Sequence, residues 1–88
     1  MNLGFAKTFE DDLEAVTDVR LLARLERLLD SIRAARRLAD IPSLKPLAGG
    51  HGCFRVRLGD YRLGLRREAD KVVCVRFLHR REVYRHFP

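Results

Sequence analysis

An α+β domain, ordered β-α-α-β-β-β with two helices packed on one face of an antiparallel sheet, is the fold class this sequence predicts. Three observations carry it. Apolar residues recur at helical spacing from Leu21 to Ile32. Apolar and arginine residues alternate from Phe54 to Leu65 around a Gly59-Asp60 pair. A β-branched run, Val72-Val73-Cys74-Val75, opens the strongest strand in the chain. With 88 residues, one domain spanning 1–88 and one modest core are expected.

Each element has a local signal. Leu3 to Ala6 reads as a short first strand. Thr8, with Asp11 three residues on, reads as the N-cap of a short helix carrying Phe9, Leu13 and Val16. Asp18 reads as the cap of a longer helix. Its stripe is Leu22, Leu25, Leu29 and Ile32, widened by Leu21 and Leu28, with Arg20, Arg24, Arg27 and Asp30 opposite. This helix fades near Arg36 to Leu38, and Pro42 forbids its continuation. The run from Ser43 to Gly52 is a Gly- and Pro-rich connector that delivers Leu47 to the core edge. It lacks the Gly-Lys-Ser/Thr ending of a phosphate-binding P-loop.

A hairpin follows, with Gly59-Asp60 as its two-residue turn. That register pairs Leu58 with Tyr61, Arg57 with Arg62, Val56 with Leu63 and Phe54 with Leu65. The apolar side meets the helices. The other side is expected to be bare and to show Arg55, Arg57 and Arg62. Arg66 to Lys71 reads as a polar turn, Val72 to Leu78 as the central strand, and the tail as irregular before a closing helical turn that brings Phe87 to the core.

Charge is uneven along the chain. Residues 1–50 hold eight Lys/Arg and eight Asp/Glu, whereas residues 51–88 hold ten and four, so the second part carries the whole net charge of +6. Such asymmetry points to a polyanionic partner or to a basic solvated surface. The directly opposed Arg57 and Arg62 favour the partner, because like charges facing each other across a ribbon are destabilising unless an anion lies between them. No signal peptide is apparent, and no apolar run approaches the ~18 residues of a membrane span. Cys53 and Cys74 sit in strands as small hydrophobes, so reduced thiols and a cytoplasmic location are expected, with no membrane partner.

Arg55-Val56-Arg57-Leu58-Gly59-Asp60-Tyr61-Arg62, joined to the terminal His79-Arg80-Arg81-Glu82-Val83-Tyr84, resembles the RelE/ParE toxins of type II toxin–antitoxin systems. The likeness includes length and element order. RelE-like members are ribosome-dependent ribonucleases, in which the RNA 2′-hydroxyl attacks the adjacent phosphate without a metal. ParE-like members share the fold and poison DNA gyrase. The resemblance therefore implies a cognate antitoxin, assembled into a hetero-oligomer, and a ribosome-bound mRNA as partners. It places the family's basic catalytic residues at Arg55, Arg57, Arg62 and Arg80, with Arg81 able to replace Arg80, and the family's terminal tyrosine at Tyr84; RNA phosphate contacts are expected from Arg55, Arg57, Arg62 and Arg81, while His79 is a catalytic candidate on its own chemistry. RelE members commonly carry lysines at the first two basic positions, and here both are arginines.

Cleavage needs a proton acceptor, positive charge on the phosphorane and help for the leaving 5′-oxygen. Arginine supplies charge and hardly loses a proton at neutral pH. His79 has the right unperturbed pKa for the acceptor, followed by Tyr84, which alternatively stacks on a base or packs on the sheet edge. His79 read structurally shapes only the strand end. No cofactor is expected. A zinc site from His51, Cys53, Cys74 and His79 has no standard ligand spacing, so no metal is expected. A gyrase inhibitor without catalysis, and an inactive module that binds RNA or antitoxin, stand as alternatives.

Overall fold

The computed structural model describes residues 1–49 and 51–88. Gly50, part of the connector read from the sequence, lies outside them. The strands are β1 (Asn2–Phe5), β2 (Leu44–Pro46), β3 (Cys53–Leu58), β4 (Tyr61–Glu68) and β5 (Lys71–His79). The helices are α1 (Lys7–Glu14), α2 (Val19–Ala34) and a terminal turn α3 (Val83–His86), with a 3-10 turn at Leu38–Asp40. The strands form one sheet in the order β1-β5-β4-β3-β2.

The fold class read from the sequence holds, with additions. β1 lies parallel to β5, so the otherwise antiparallel sheet is mixed at one edge. The connector contributes β2, a short edge strand whose Pro46 and Lys45 suit a sheet border. Arg66 to Glu68 belong to β4 rather than to a turn, and the reversal is confined to Ala69-Asp70, with Ala69 at φ +52°.

Asp18 caps α2, its Oδ1 accepting from the backbone N–H of Arg20 and Leu21. Thr8 does not cap α1. Helix α1 starts at Lys7 behind Ala6, which makes no side-chain cap. Thr8 instead donates to the Val75 carbonyl at 2.6 Å, and the Ala6 N–H reaches the Cys74 carbonyl. Beside them Asp12 accepts from the Phe77 N–H and takes Arg76 in a two-pronged ion pair at 2.8 and 3.0 Å. Helix α1 thus satisfies the part of the β5 border that β1 does not reach.

The main core lies between α2 and the sheet. Leu21, Leu25, Leu28 and Ile32 pack with Val56, Leu63, Leu65, Val72, Cys74 and Phe77. Burial pushes the Cys74 thiol up to about 12, weakly opposed by the charge of Arg33. The sheet's other face is not bare. Val83 and Phe87 from the tail join Cys53 in a second cluster with Leu47, Val75 and Leu78 packed against it. The Phe87 ring rests on Gly64, where a β-carbon would stand 2.7 Å from Phe87 Cδ2. Both Leu47 and Phe87 are therefore in apolar contact, as expected, but on the face away from the helices.

Candidate nucleic-acid interface

The β3–β4 ladder follows the expected register, with Arg57 directly opposite Arg62 and Arg55 opposite Gly64. Gly59 has φ +59° while Asp60 stays out of the left-handed region, the conformational demand of a turn with Gly first. Since Val56, Leu63 and Leu65 point to α2, alternation sets Arg55, Arg57 and Arg62 on the opposite face. Lys45 of β2 pairs with Arg55 and extends the basic row; sequence reasoning missed it because the β2 strand is only three residues long.

The two central arginines differ in environment. Arg57 is exposed, with no carboxylate at ion-pair distance among the described residues. Arg62, expected on a bare surface, is only 9% exposed. Its Nη1 donates to the Gly59 and Tyr61 carbonyls, each at 2.8 Å. The physical reason is its position between the hairpin turn and Leu78, its neighbour on β5, which belongs to the tail cluster. The stem is covered and one end of the fork is fixed by carbonyls, so the guanidinium is held in place before any ligand arrives.

The tail brings Arg80 to the same turn. Its backbone N–H donates to the Asp60 carbonyl at 2.7 Å, and its Nε lies 3.9 Å from Asp60 Oδ1. Arg81 is exposed, and its backbone N–H donates to His79 Nδ1 at 3.2 Å. Tyr84 leaves 54% of its surface to solvent on α3, the turn that covers part of the basic face. Arg55 reaches the Ser43 carbonyl at 3.4 Å.

His79 is not brought to the arginine face. It pairs with Tyr61, which packs against the main core, and the two rings meet edge-on at 5.7 Å. The strand's two-residue alternation therefore sets it on the side opposite Arg57 and Arg62. Among the described residues no group of three or more His, Cys, Asp or Glu gathers as a metal site. No helix there is long and apolar enough to cross a membrane.

A five-stranded mixed sheet, backed by two helices and carrying paired arginines on its other face, defines a RelE/ParE-type toxin fold. The chain belongs to the family described as ParE toxin of type II toxin–antitoxin system, parDE, whose model matches residues 3–84. It is 33% identical over 89 residues to Toxin RelE3 of Methanocaldococcus jannaschii, covering 100% of both chains. The crystal structure of the RelB-RelE antitoxin–toxin complex from Methanococcus jannaschii matches with a TM-score of 0.81 at 30% identity, covering 97% of this chain and 99% of that one. The toxin–antitoxin complex RelBE2 from Mycobacterium tuberculosis matches with a TM-score of 0.71 at 28% identity, covering 89% and 95%.

Proposed function

We propose that this toxin is a metal-independent endoribonuclease that cuts mRNA on the ribosome and is neutralised by a cognate antitoxin. The observation that carries the reading is the Arg57–Arg62 pair, two like charges opposed on one face with no carboxylate at ion-pair distance among the described residues. A phosphate seated there turns the repulsion into attraction.

The 2′-hydroxyl gives its proton to solvent, its oxygen attacks the adjacent phosphorus, the bond to the 5′-oxygen breaks and that oxygen takes a proton from water, leaving a 2′,3′-cyclic phosphate and a 5′-hydroxyl. Arg57 and the pre-fixed Arg62 stabilise the equatorial oxygens of the phosphorane. Arg80, tethered to the Asp60 turn, holds charge near the departing 5′-oxygen. Arg55 and Arg81 hold neighbouring phosphates, and Tyr84 stacks on a base. His79 is left with the strand-end role, and this chain contributes charge rather than an imidazole base. Cleavage should then be unchanged, in rate and in pH profile, by His79→Gln. A large loss of cleavage in His79→Gln would return His79 to the chemistry.

The match to a ParE model favours one second reading, a gyrase inhibitor without catalysis. Primer extension on mRNA after induction, run beside a supercoiling assay with purified gyrase, separates the two. Discrete ends inside translated codons support the ribonuclease; intact messages with blocked supercoiling overturn it.

A further inference from the structure

The basic surface does not stop at the sheet. Arg24 of α2 reaches the hairpin turn: a β-carbon on Gly59 would lie 3.2 Å from Arg24 Nη1. Gly59 is the residue whose carbonyl holds Arg62, and its neighbour Asp60 holds Arg80. Three arginines from three separate segments therefore converge on one two-residue turn. Arg24 does not stand alone on its helix. Arg20 and Arg27 lie four residues before it and three after, on the same flank of α2. All three are exposed, and no carboxylate lies at ion-pair distance from any of them among the described residues.

This arrangement works against the helix that bears it. Like charges three and four residues apart repel. Arg20 also sits in the first turn, where the helix dipole presents positive potential and the capping Asp18 carboxylate is engaged by the backbone N–H of Arg20 and Leu21. The other exposed arginine of the helix, Arg33, is answered by Asp30 at 3.0 Å. The arginines of α2 without an ion-pair partner thus share the flank whose Arg24 reaches the turn, while Glu26 is an exposed acid of the same helix.

We propose that Arg20, Arg24 and Arg27 form a phosphate-binding track that carries the RNA strand from the arginine face, around the Gly59-Asp60 turn, along α2. The inference rests on the RNA reading above, and continuity with the Arg57–Arg62 pair is what makes the occupant RNA rather than an acidic peptide. The track binds backbone phosphates, so it is indifferent to base sequence.

The test is a salt titration of binding to a short single-stranded RNA that carries a 2′-deoxy sugar at the scissile position, so that nothing is cut. The variant is Arg20→Gln/Arg24→Gln/Arg27→Gln. Its charge-matched control is Arg33→Gln/Arg36→Gln/Arg37→Gln, at and just beyond the far end of the helix. The track variant should lose about tenfold or more in affinity near 0.1 M salt, and its slope of log K against log salt should fall by about 2, as three lost phosphate contacts require. The control should change both far less, and Arg24→Lys should keep the slope. Equal losses in variant and control would reduce the track to diffuse net charge and overturn it. So would an unchanged slope, or a loss seen with polyglutamate and not with RNA, which would assign the flank to an acidic peptide. Thermal melting of the variant should be unchanged or raised, since repulsion is removed. Failure of the ribonuclease reading shows elsewhere, as intact messages in primer extension, and leaves this titration readable.

Discussion

At the scale of single residues, the two opposed arginines make different predictions despite their shared register. Arg57 is exposed and touches no carboxylate, so Arg57→Ala should leave the melting temperature nearly unchanged. It should lower mRNA cleavage on the order of 10²–10³-fold, the usual loss for one transition-state donor. Arg62→Ala should lower cleavage similarly and also cost about 1–3 kcal/mol in denaturant unfolding, because its two carbonyl partners lose their donor. A fully toxic Arg57→Ala protein of normal stability would sink the site. The opposition of these residues was legible in the sequence because a two-residue turn dictates register. The burial of Arg62 was not, since it depends on Leu78 and a tail that closes over the sheet from elsewhere in the chain. Cys74 offers a separate check. Burial raises its folded pKa from 9.0 to about 12, so the folded state keeps the proton that the unfolded chain loses. The resulting stability is fully present below pH 9 and fades as pH climbs towards 12. At neutral pH, alkylation of Cys74 should wait for opening of the fold, and should accelerate in proportion to the population opened by denaturant.

Among the elements, the terminal turn α3 is the one whose contribution the sequence least discloses. Four residues of helix have little stability of their own. The turn holds because Val83 and Phe87 are buried against Cys53 and over Gly64. Gly64→Ala places a methyl group inside the Phe87 ring contact, and the overpacking should cost about 1–3 kcal/mol. It should also raise hydrogen exchange in residues 83–87 ahead of the rest of the chain. Unchanged exchange there would mean that the tail is held by something other than this contact. Helix α2 and the β3–β4 hairpin were readable because long apolar periodicity and turn chemistry are local signals. The Thr8 cap misled because a hydroxyl near a helix start satisfies a local rule, while the carbonyl it meets belongs to a strand far along the chain. The face that His79 takes was illegible for a related reason. Its pKa class is written in the sequence, but its face depends on counting through a β5 ladder that shifts register at Gly64/Leu65.

For the molecule as a whole, charge distribution and topology answer to different parts of the chain. The +6 excess lies entirely in residues 51–88, which build the arginine face and the tail. The first part of the chain contributes the balanced helices and, through Asp12, one clamp onto the last strand. Asp12→Ala leaves Arg76 and the Phe77 N–H without their acceptor in a site where the carboxylate is only 9% exposed, and should cost about 3–5 kcal/mol. Urea unfolding measures it, and Asp12→Asn should recover part by keeping one acceptor oxygen. A loss under about 1 kcal/mol would show that the clamp is marginal. Fold class was visible from end to end, whereas the pairing of β1 was not: nothing in Asn2–Phe5 names its partner strand. That pairing has a kinetic meaning. The only ladder that β1 joins among the described residues is the one it makes with β5. Helices and a lone hairpin can form from local contacts, but the central scaffold waits for the non-local pairing of β1 with β5. The toxin's scaffold therefore closes only when two segments from opposite parts of the described chain meet.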